Sequence, residues 1–185
     1  MKEVILTVGP QGAGKTTFCE KIIQAHPEIK YISRDAILAE MYEVSPHMLG
    51  SDECELGLAK MYDELQRELE EPGDTRIIID CWCATKKERK AIIERIKFFD
   101  EGTHTIGAWH FITPEEKYLE WWEAKYGPAW TMTVAMNTFA YRQYADKIEH
   151  SEGFNFIKEI NLLKPPCFVH LFTPLVTDEE IPIRY

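Results

Sequence analysis

Apolar and polar residues change rhythm repeatedly along the chain, and each change predicts an element. Val4–Val8 is a short apolar run that reads as a buried strand. From about Thr16 to Ala25, Phe18, Ile22 and Ile23 mark the buried side of a helix that Pro27 stops. "EIKYIS" (28–33) reads as a second strand and "RDAILAEMY" (34–42) as a helix, with a break at 45–51. Leu58, Tyr62, Leu65 and Leu69 recur at helical spacing from Asp52 to Glu71, and "PGD" (72–74) ends that helix. "RIIIDCWC" (76–83) is the continuous apolar run of a central parallel strand. Thr85 and Glu88 form a capping box for a helix reaching about Phe99, with Ile92, Ile93, Ile96 and Phe99 inward. "THTIGAWHFI" (103–112) predicts a fourth strand. Thr113, Pro114 and Glu116 open a helix with Pro at its first position, "YGP" (126–128) breaks it, and a further helix covers about 132–149. "CFVHLF" (167–172) reads as a fifth strand.

Strands and helices therefore alternate from end to end, which predicts a mostly parallel sheet with helices on both faces. No repeat, low-complexity tract or linker divides the 185 residues, so one domain over 1–185 is expected. A hydrophobic content of 45% excludes a largely disordered chain. No window reaches the ~18 apolar residues of a membrane span, and "MKEVILTVG" lacks a signal-peptide layout. The five cysteines (19, 54, 81, 83 and 167) are odd in number, and Cys81-x-Cys83 has no second pair at zinc spacing. Reduced thiols in a cytoplasmic setting are expected, and a phage-encoded chain working in host cytoplasm fits the same reading. The net charge of −10 weighs against an extended nucleic-acid-coating surface, but leaves room for a small basic pocket holding a strand end.

Between the first strand and first helix lies "GPQGAGKT", Gly9, Pro10, Gln11, Gly12, Ala13, Gly14, Lys15 and Thr16, which matches G-x-x-x-x-G-K-[ST] without deviation; Thr17 follows. Glycines let successive N–H groups turn inward as an anion nest, and the helix dipole points at the same place. Lys15 supplies a mobile charge for the outer phosphates, and the Thr16 hydroxyl is placed to ligate Mg²⁺. This is a P-loop, and it predicts a bound nucleoside triphosphate. No base-reading "NKxD" of G proteins occurs.

Asp35 in "YISRDAI" falls just past the second strand, where open α/β sheets bind ligands. A carboxylate there can take a hydroxyl proton during in-line phosphoryl transfer, or face the metal together with Thr16; its competing reading is a helix N-cap. Asp80 ends "IIID" and could bind Mg²⁺ through water or hold an acceptor hydroxyl; it also reads as a plain strand-end aspartate.

Together, "ILTVGPQGAGKTTF", "YISRDAI" and "IIID" followed by "KKERK" resemble the P-loop kinases related to bacteriophage polynucleotide 5′-kinase, with zeta-toxin-like and small-molecule kinases as wider relatives. The likeness covers roughly residues 3–145. It implies a P-loop NTPase three-layer sandwich with a five-stranded core and a helical lid at about 114–131. It also implies ATP with Mg²⁺, Asp35 as general base and Asp80 as a residue that helps hold the acceptor. Two departures stand out. The family's arginine three positions after the catalytic aspartate is Leu38 here. The lid stretch 114–130 contains no arginine, only Lys117 and Lys125, with Arg142 on the following helix as a substitute or an adenine contact.

On the acceptor side, Arg34, Lys86, Lys87 and Arg89 fall near strand ends and could focus an anionic substrate; a solvated helix face is the competing reading. Trp82, two residues past Asp80, could stack on a base, and one of Trp121 and Trp122 in the lid could meet ligand; packing in the core competes for each. The expected reaction is transfer of the ATP γ-phosphoryl group to a hydroxyl on a nucleic acid, a 5′-hydroxyl end or the hydroxymethyl group of a modified base such as 5-hydroxymethyluracil. A nucleoside, sugar or antibiotic kinase is the alternative, as is an NTP-binding module without efficient turnover. The six scattered histidines form no transition-metal pattern.

Overall fold

The computed structural model of the chain describes residues 1–44, 49–99, 104–166 and 170–172, with the backbone alone at 125, 126, 129 and 130. β1 (Lys2–Val8) leads through the P-loop into α1 (Lys15–Ala25), and β2 (Lys30–Ser33) into α2 (Arg34–Tyr42). α3 (Ser51–Glu70), β3 (Thr75–Asp80), α4 (Lys86–Phe99) and β4 (His104–Phe111) follow. A helical hairpin, α5 (Glu115–Tyr126) and α6 (Pro128–Tyr144), a 3₁₀ turn (His150–Glu152) and β5 (Phe156–Ile160) complete the set. The sheet has five strands in the order β2-β3-β1-β4-β5, and every pairing is parallel.

Strand side chains alternate between two cores, as the period of 2 requires. Val4, Leu6, Ile77, Ile79 and Ile106 face Met61 and Leu65 of α3 and Ile92, Ile93 and Ile96 of α4. Ile5, Ile78, Trp109 and Phe111 face Phe18 and Ile22 of α1. Phe18 stands edge-on to Trp109 and Phe111, with centroids 5.6 and 5.5 Å away. The result is the three-layer sandwich expected from the alternation.

The capping box at α4 is present: Glu88 Oε2 accepts from the Thr85 N–H at 2.8 Å, and Thr85 Oγ1 from the Glu88 N–H at 3.2 Å. The N-cap of α2 is Ser33, whose Oγ accepts from the Ala36 N–H. Asp35 is therefore not the cap.

Three expectations need correction. The fifth strand is Phe156–Ile160, not 167–172; residues 167–169 of that stretch, with Cys167, lie outside the described residues, and His170–Phe172 are not strand. Phe156 pairs in register with Gly107 of β4, where a Cβ would lie 2.3 Å from the Phe156 ring. The last long helix is Pro128–Tyr144 rather than 132–149, and Pro114 is the N-cap of α5 rather than its first residue. Most of the break expected at 45–51, residues 45–48, also lies outside the described residues. No described helix is long and apolar enough to cross a membrane.

Candidate active site

The P-loop crosses the carboxyl end of the sheet in a backbone that demands its glycines. Gly12 and Gly14 have φ of +80° and +84°, and Gly14 is the left-handed N-cap of α1. The loop is closely covered. A Cβ on Gly12 would meet Val134 Cγ1 of α6 at 2.9 Å and Trp122 of α5 at 3.6 Å. One on Gly14 would meet Leu162 Cδ1 at 2.5 Å. Ala13 is buried, and its N–H donates to Pro10 O at 3.3 Å, closing the turn. Gln11 Oε1 accepts from Asn137 Nδ2 of α6. The α5–α6 hairpin thus sits over the P-loop, touching it through an amide and a valine. Trp122 is the lid tryptophan on the loop side, and Trp121 is partly exposed.

Lys15 Nζ donates to Gly9 O and Pro10 O, both at 3.0 Å, so the ammonium curls over the nest it is expected to serve. Thr16 and Thr17 are exposed at the start of α1.

Asp80 is the hub of the site. It is buried, and three hydroxyls from three elements donate to it: Thr7 of β1 to Oδ1 at 2.7 Å, and Thr16 of α1 and Tyr31 of β2 to Oδ2, each at 2.8 Å. Burial, and then the Asp80 carboxylate, push the Tyr31 phenol well above its ordinary range, so it remains a donor. An oxygen-only set of Asp80 and Thr16 beside a phosphate nest suits Mg²⁺, which keeps several waters and takes one or two carboxylates plus substrate phosphates. This corrects one expectation: the carboxylate brought to Thr16 is that of Asp80, not Asp35. Asp35 Oδ1 instead accepts from Arg34 Nη2 and Nε at 2.8 and 3.1 Å. Its place is still at the catalytic edge, because Ser33, two residues earlier, is in register with Asp80.

The cations expected to meet an anionic acceptor are mostly engaged. Arg34 holds Asp35, and Lys86 Nζ donates to Glu149 at 3.0 Å. Arg89 is fully buried and does not face the crevice. Its guanidinium grips Glu152 through Nε and Nη2 at 2.8 and 2.9 Å. It also donates to the carbonyls of Cys83, Ala84, Asp146 and Lys147. Arg89 therefore clamps the start of α4 to the segment after α6, which corrects its assignment to substrate. Lys87 is exposed. Arg142 pairs with Glu115 of α5, bracing the lid hairpin. Lys125 lies near the end of α5, and its side chain is outside the described residues. Trp82 is 37% exposed, edge-on to Tyr141 of α6 at 5.7 Å. Burial pushes the Tyr141 phenol up to about 12, keeping it neutral. Leu38 is fully buried, because a Cβ on Gly57 of α3 would fall 2.5 Å from its Cδ2.

Sequence reasoning missed Thr7, Tyr31, Val134, Asn137 and Leu162. Thr7 did carry a signal, a hydroxyl inside an otherwise apolar strand that leads into the P-loop. Asn137 carried none, since its partner is 126 residues away.

A parallel sheet with β1 central, a P-loop leading into α1 and an aspartate at the adjacent strand end tied to the P-loop threonine define the P-loop kinase fold. The AAA_33 family, described as an AAA domain, matches residues 4–143, and the chain belongs to it. Three solved structures share the fold. A fungal RNA kinase is 19% identical with a TM-score of 0.57, over 87% of this chain and 75% of that one. A sugar kinase from Janibacter sp. HTCC2649 is 16% identical with a TM-score of 0.53, over 89% and 86%. The Pnkp1/Rnl/Hen1 complex contains a chain 18% identical with a TM-score of 0.54, over 64% of this chain and 38% of that one. No curated protein matches the sequence.

Proposed function

We propose that the chain is an ATP-dependent phosphotransferase acting on an alcohol, with a nucleic-acid hydroxyl as the acceptor. The observation that carries the reaction is the Thr16–Asp80 hydrogen bond of 2.8 Å beneath a complete P-loop. Thr16 and Asp80 would hold Mg²⁺, which when bound neutralises charge on the β- and γ-phosphates. The P-loop N–H groups and Lys15 hold the outer phosphates, Lys15 exchanging its two carbonyl partners for phosphate oxygens. Asp35 takes the acceptor proton as the acceptor oxygen bonds to the γ-phosphorus, and the bond to the bridging oxygen of ADP breaks. Arg34, which donates to Asp35 Oδ1, orients that carboxylate at the strand end.

The acceptor reading rests on Trp82. Its half-open ring stands two residues past Asp80 and is held by Tyr141, a platform on which a base can stack. A specific observation favours the second reading, a small neutral alcohol: Arg34, Lys86, Arg89 and Arg142 all hold carboxylates of this chain. The shared fold hosts kinases of both kinds and does not choose.

Transfer of labelled γ-phosphate from ATP to a panel tests both. The panel holds 5′-hydroxyl DNA and RNA oligomers, DNA containing 5-hydroxymethyluracil, and nucleosides and sugars. Label on an oligomer supports the leading reading, and its KM then rises steeply with salt. Label on nucleosides or sugars alone, with a salt-insensitive KM, overturns it in favour of the second. Asp35→Asn should abolish transfer while ATP still binds; full activity in that variant would remove Asp35 as the base.

A further inference from the structure

We propose that the exposed face of α4 is a track for a single-stranded nucleic-acid acceptor, gripping the strand away from its reacting end. The proposal rests on the nucleic-acid reading above and adds a second site to it.

α4 begins six residues past Asp80, at the catalytic edge, and runs away from it for 14 residues, about 20 Å. With Lys86 and Arg89 engaged, the cations that remain on this helix are Lys87, Lys90, Arg95 and Lys97, all exposed. Among the described residues, none of the three lysines is paired with a carboxylate. Glu94 is the single exposed acid on the helix, because Glu88 closes the capping box. A local excess of positive charge in a chain of net charge −10 is complementary to a phosphate backbone.

Charge alone describes many solvated helices; the aromatic end of α4 adds a second observation. Phe98 is 76% exposed, more than any other large apolar side chain described. It stands 5.9 Å from Phe99 at 70°. The Arg95 guanidinium lies against Phe99, Tyr62 and Phe98 at 5.2, 5.6 and 5.9 Å. An open ring flanked by a guanidinium that is itself held on aromatic faces offers stacking and a phosphate partner together. On the helix, Lys87, Ala91, Glu94 and Phe98 follow one stripe, with Lys90 and Lys97 on one flank and Arg95 on the other. A strand whose end sits by Asp35 and Trp82 would meet Lys87 first and Phe98 last.

The test compares KM for a dinucleotide and a ~10-nucleotide strand, each with a 5′-hydroxyl, at several salt concentrations. It uses the full chain, wild type and three variants: Lys87→Glu/Lys90→Glu, Phe98→Ala and Glu94→Gln. All four positions are exposed, so the fold should hold, and an unchanged KM for ATP checks it. We expect the long strand to bind at least 10-fold tighter than the dinucleotide in the wild type. The double charge reversal should remove that advantage, with each removed cation lowering the log–log salt slope by about 0.7. Phe98→Ala should weaken the long strand several-fold at unchanged salt slope, and Glu94→Gln should tighten it. Equal KM for both lengths, unmoved by any variant, would overturn the track while leaving oligonucleotides as substrates. No transfer to any oligonucleotide would overturn both the track and the acceptor reading beneath it.

Discussion

The Thr16 hydroxyl donates to Asp80 at 2.8 Å, fastening the first turn of α1 to the end of β3. Two strands and a helix converge on that carboxylate through Thr7, Tyr31 and Thr16, so Asp80 is a joint in the frame of the proposed site. Asp80→Asn puts an NH₂ where one oxygen accepts a proton. Turnover should fall about a hundred- to a thousandfold, the range for losing one electrostatic contact in a phosphoryl or acyl site. The Mg²⁺ concentration needed for half-maximal rate should rise with it. A variant with normal kcat and normal Mg²⁺ dependence would remove Asp80 from the metal side.

Arg89 and Glu152 bury a charged pair whose other donors all reach backbone carbonyls. Arg89→Met strands Glu152 without its partner, and stability should drop by about 3–5 kcal/mol in urea unfolding. Arg89→Lys should recover little, since an ammonium cannot reproduce the two-pronged contact with Glu152. If Arg89 contacted substrate instead, both variants would keep their unfolding midpoint and lose acceptor affinity.

Gly12 is confined twice, by a φ of +80° and by Val134 Cγ1 at 2.9 Å from a would-be Cβ. Gly12→Ala should lower ATP affinity and lift the α5–α6 hairpin off the P-loop. Adding Val134→Ala removes the collision but not the left-handed strain of about 1–2 kcal/mol. The double variant should therefore recover part of the ATP affinity, read by titration calorimetry. Full recovery would mean that sterics alone mattered, and no recovery that the hairpin contact is irrelevant.

His110 sits on β4 opposite Glu159 of β5. Burial lowers its pKa below the ordinary 6.5; Glu159 pulls the other way, and Arg89 adds to the lowering. Between the folded value and 6.5 the unfolded chain binds more protons, so stability rises with pH. The His110 contribution is complete above 6.5 and is lost as pH falls through the folded value. The urea midpoint should drop from pH 7.5 to pH 5.5, and His110→Gln should flatten that drop. Equal slopes for the two proteins would rule His110 out.

Features carried by local chemistry were legible in the sequence. The P-loop, the Thr85/Glu88 capping box and α2 over 34–42 all rest on contacts within a few residues. The core strands were legible because burial on both faces leaves an unbroken apolar run. β5 was hidden for the opposite reason: Phe156–Ile160 is an edge strand, and "FIKEI" includes two charged residues, whereas "CFVHLF" looked more like a strand than its neighbour. Arg89 misled because its partner is 63 residues away, and a basic helix start reads the same whether it faces a ligand or a buried glutamate. Leu38 made sense only once Gly57 was seen beneath it. Position 38 is now core, so the missing arginine reflects packing of α2 on α3 rather than a gap left open at the site.

β1 is the middle strand of the sheet, yet it precedes both of its neighbours, β3 and β4, in the chain. At the ribosome it therefore emerges with two open edges. The stretch from Val8 to Phe111 takes on the order of 5–20 s to synthesise, and until it is complete the four buried apolar side chains of β1, Val4, Ile5, Leu6 and Val8, lack at least one neighbouring strand. The P-loop cannot take its final shape in this interval, because Gly9 is seated on Phe111 and Gly12 under Val134. A nascent chain halted before β4 should expose an aggregation-prone strand and bind no nucleotide, so the binding site and the solubility of this protein are acquired in the same late step of its synthesis.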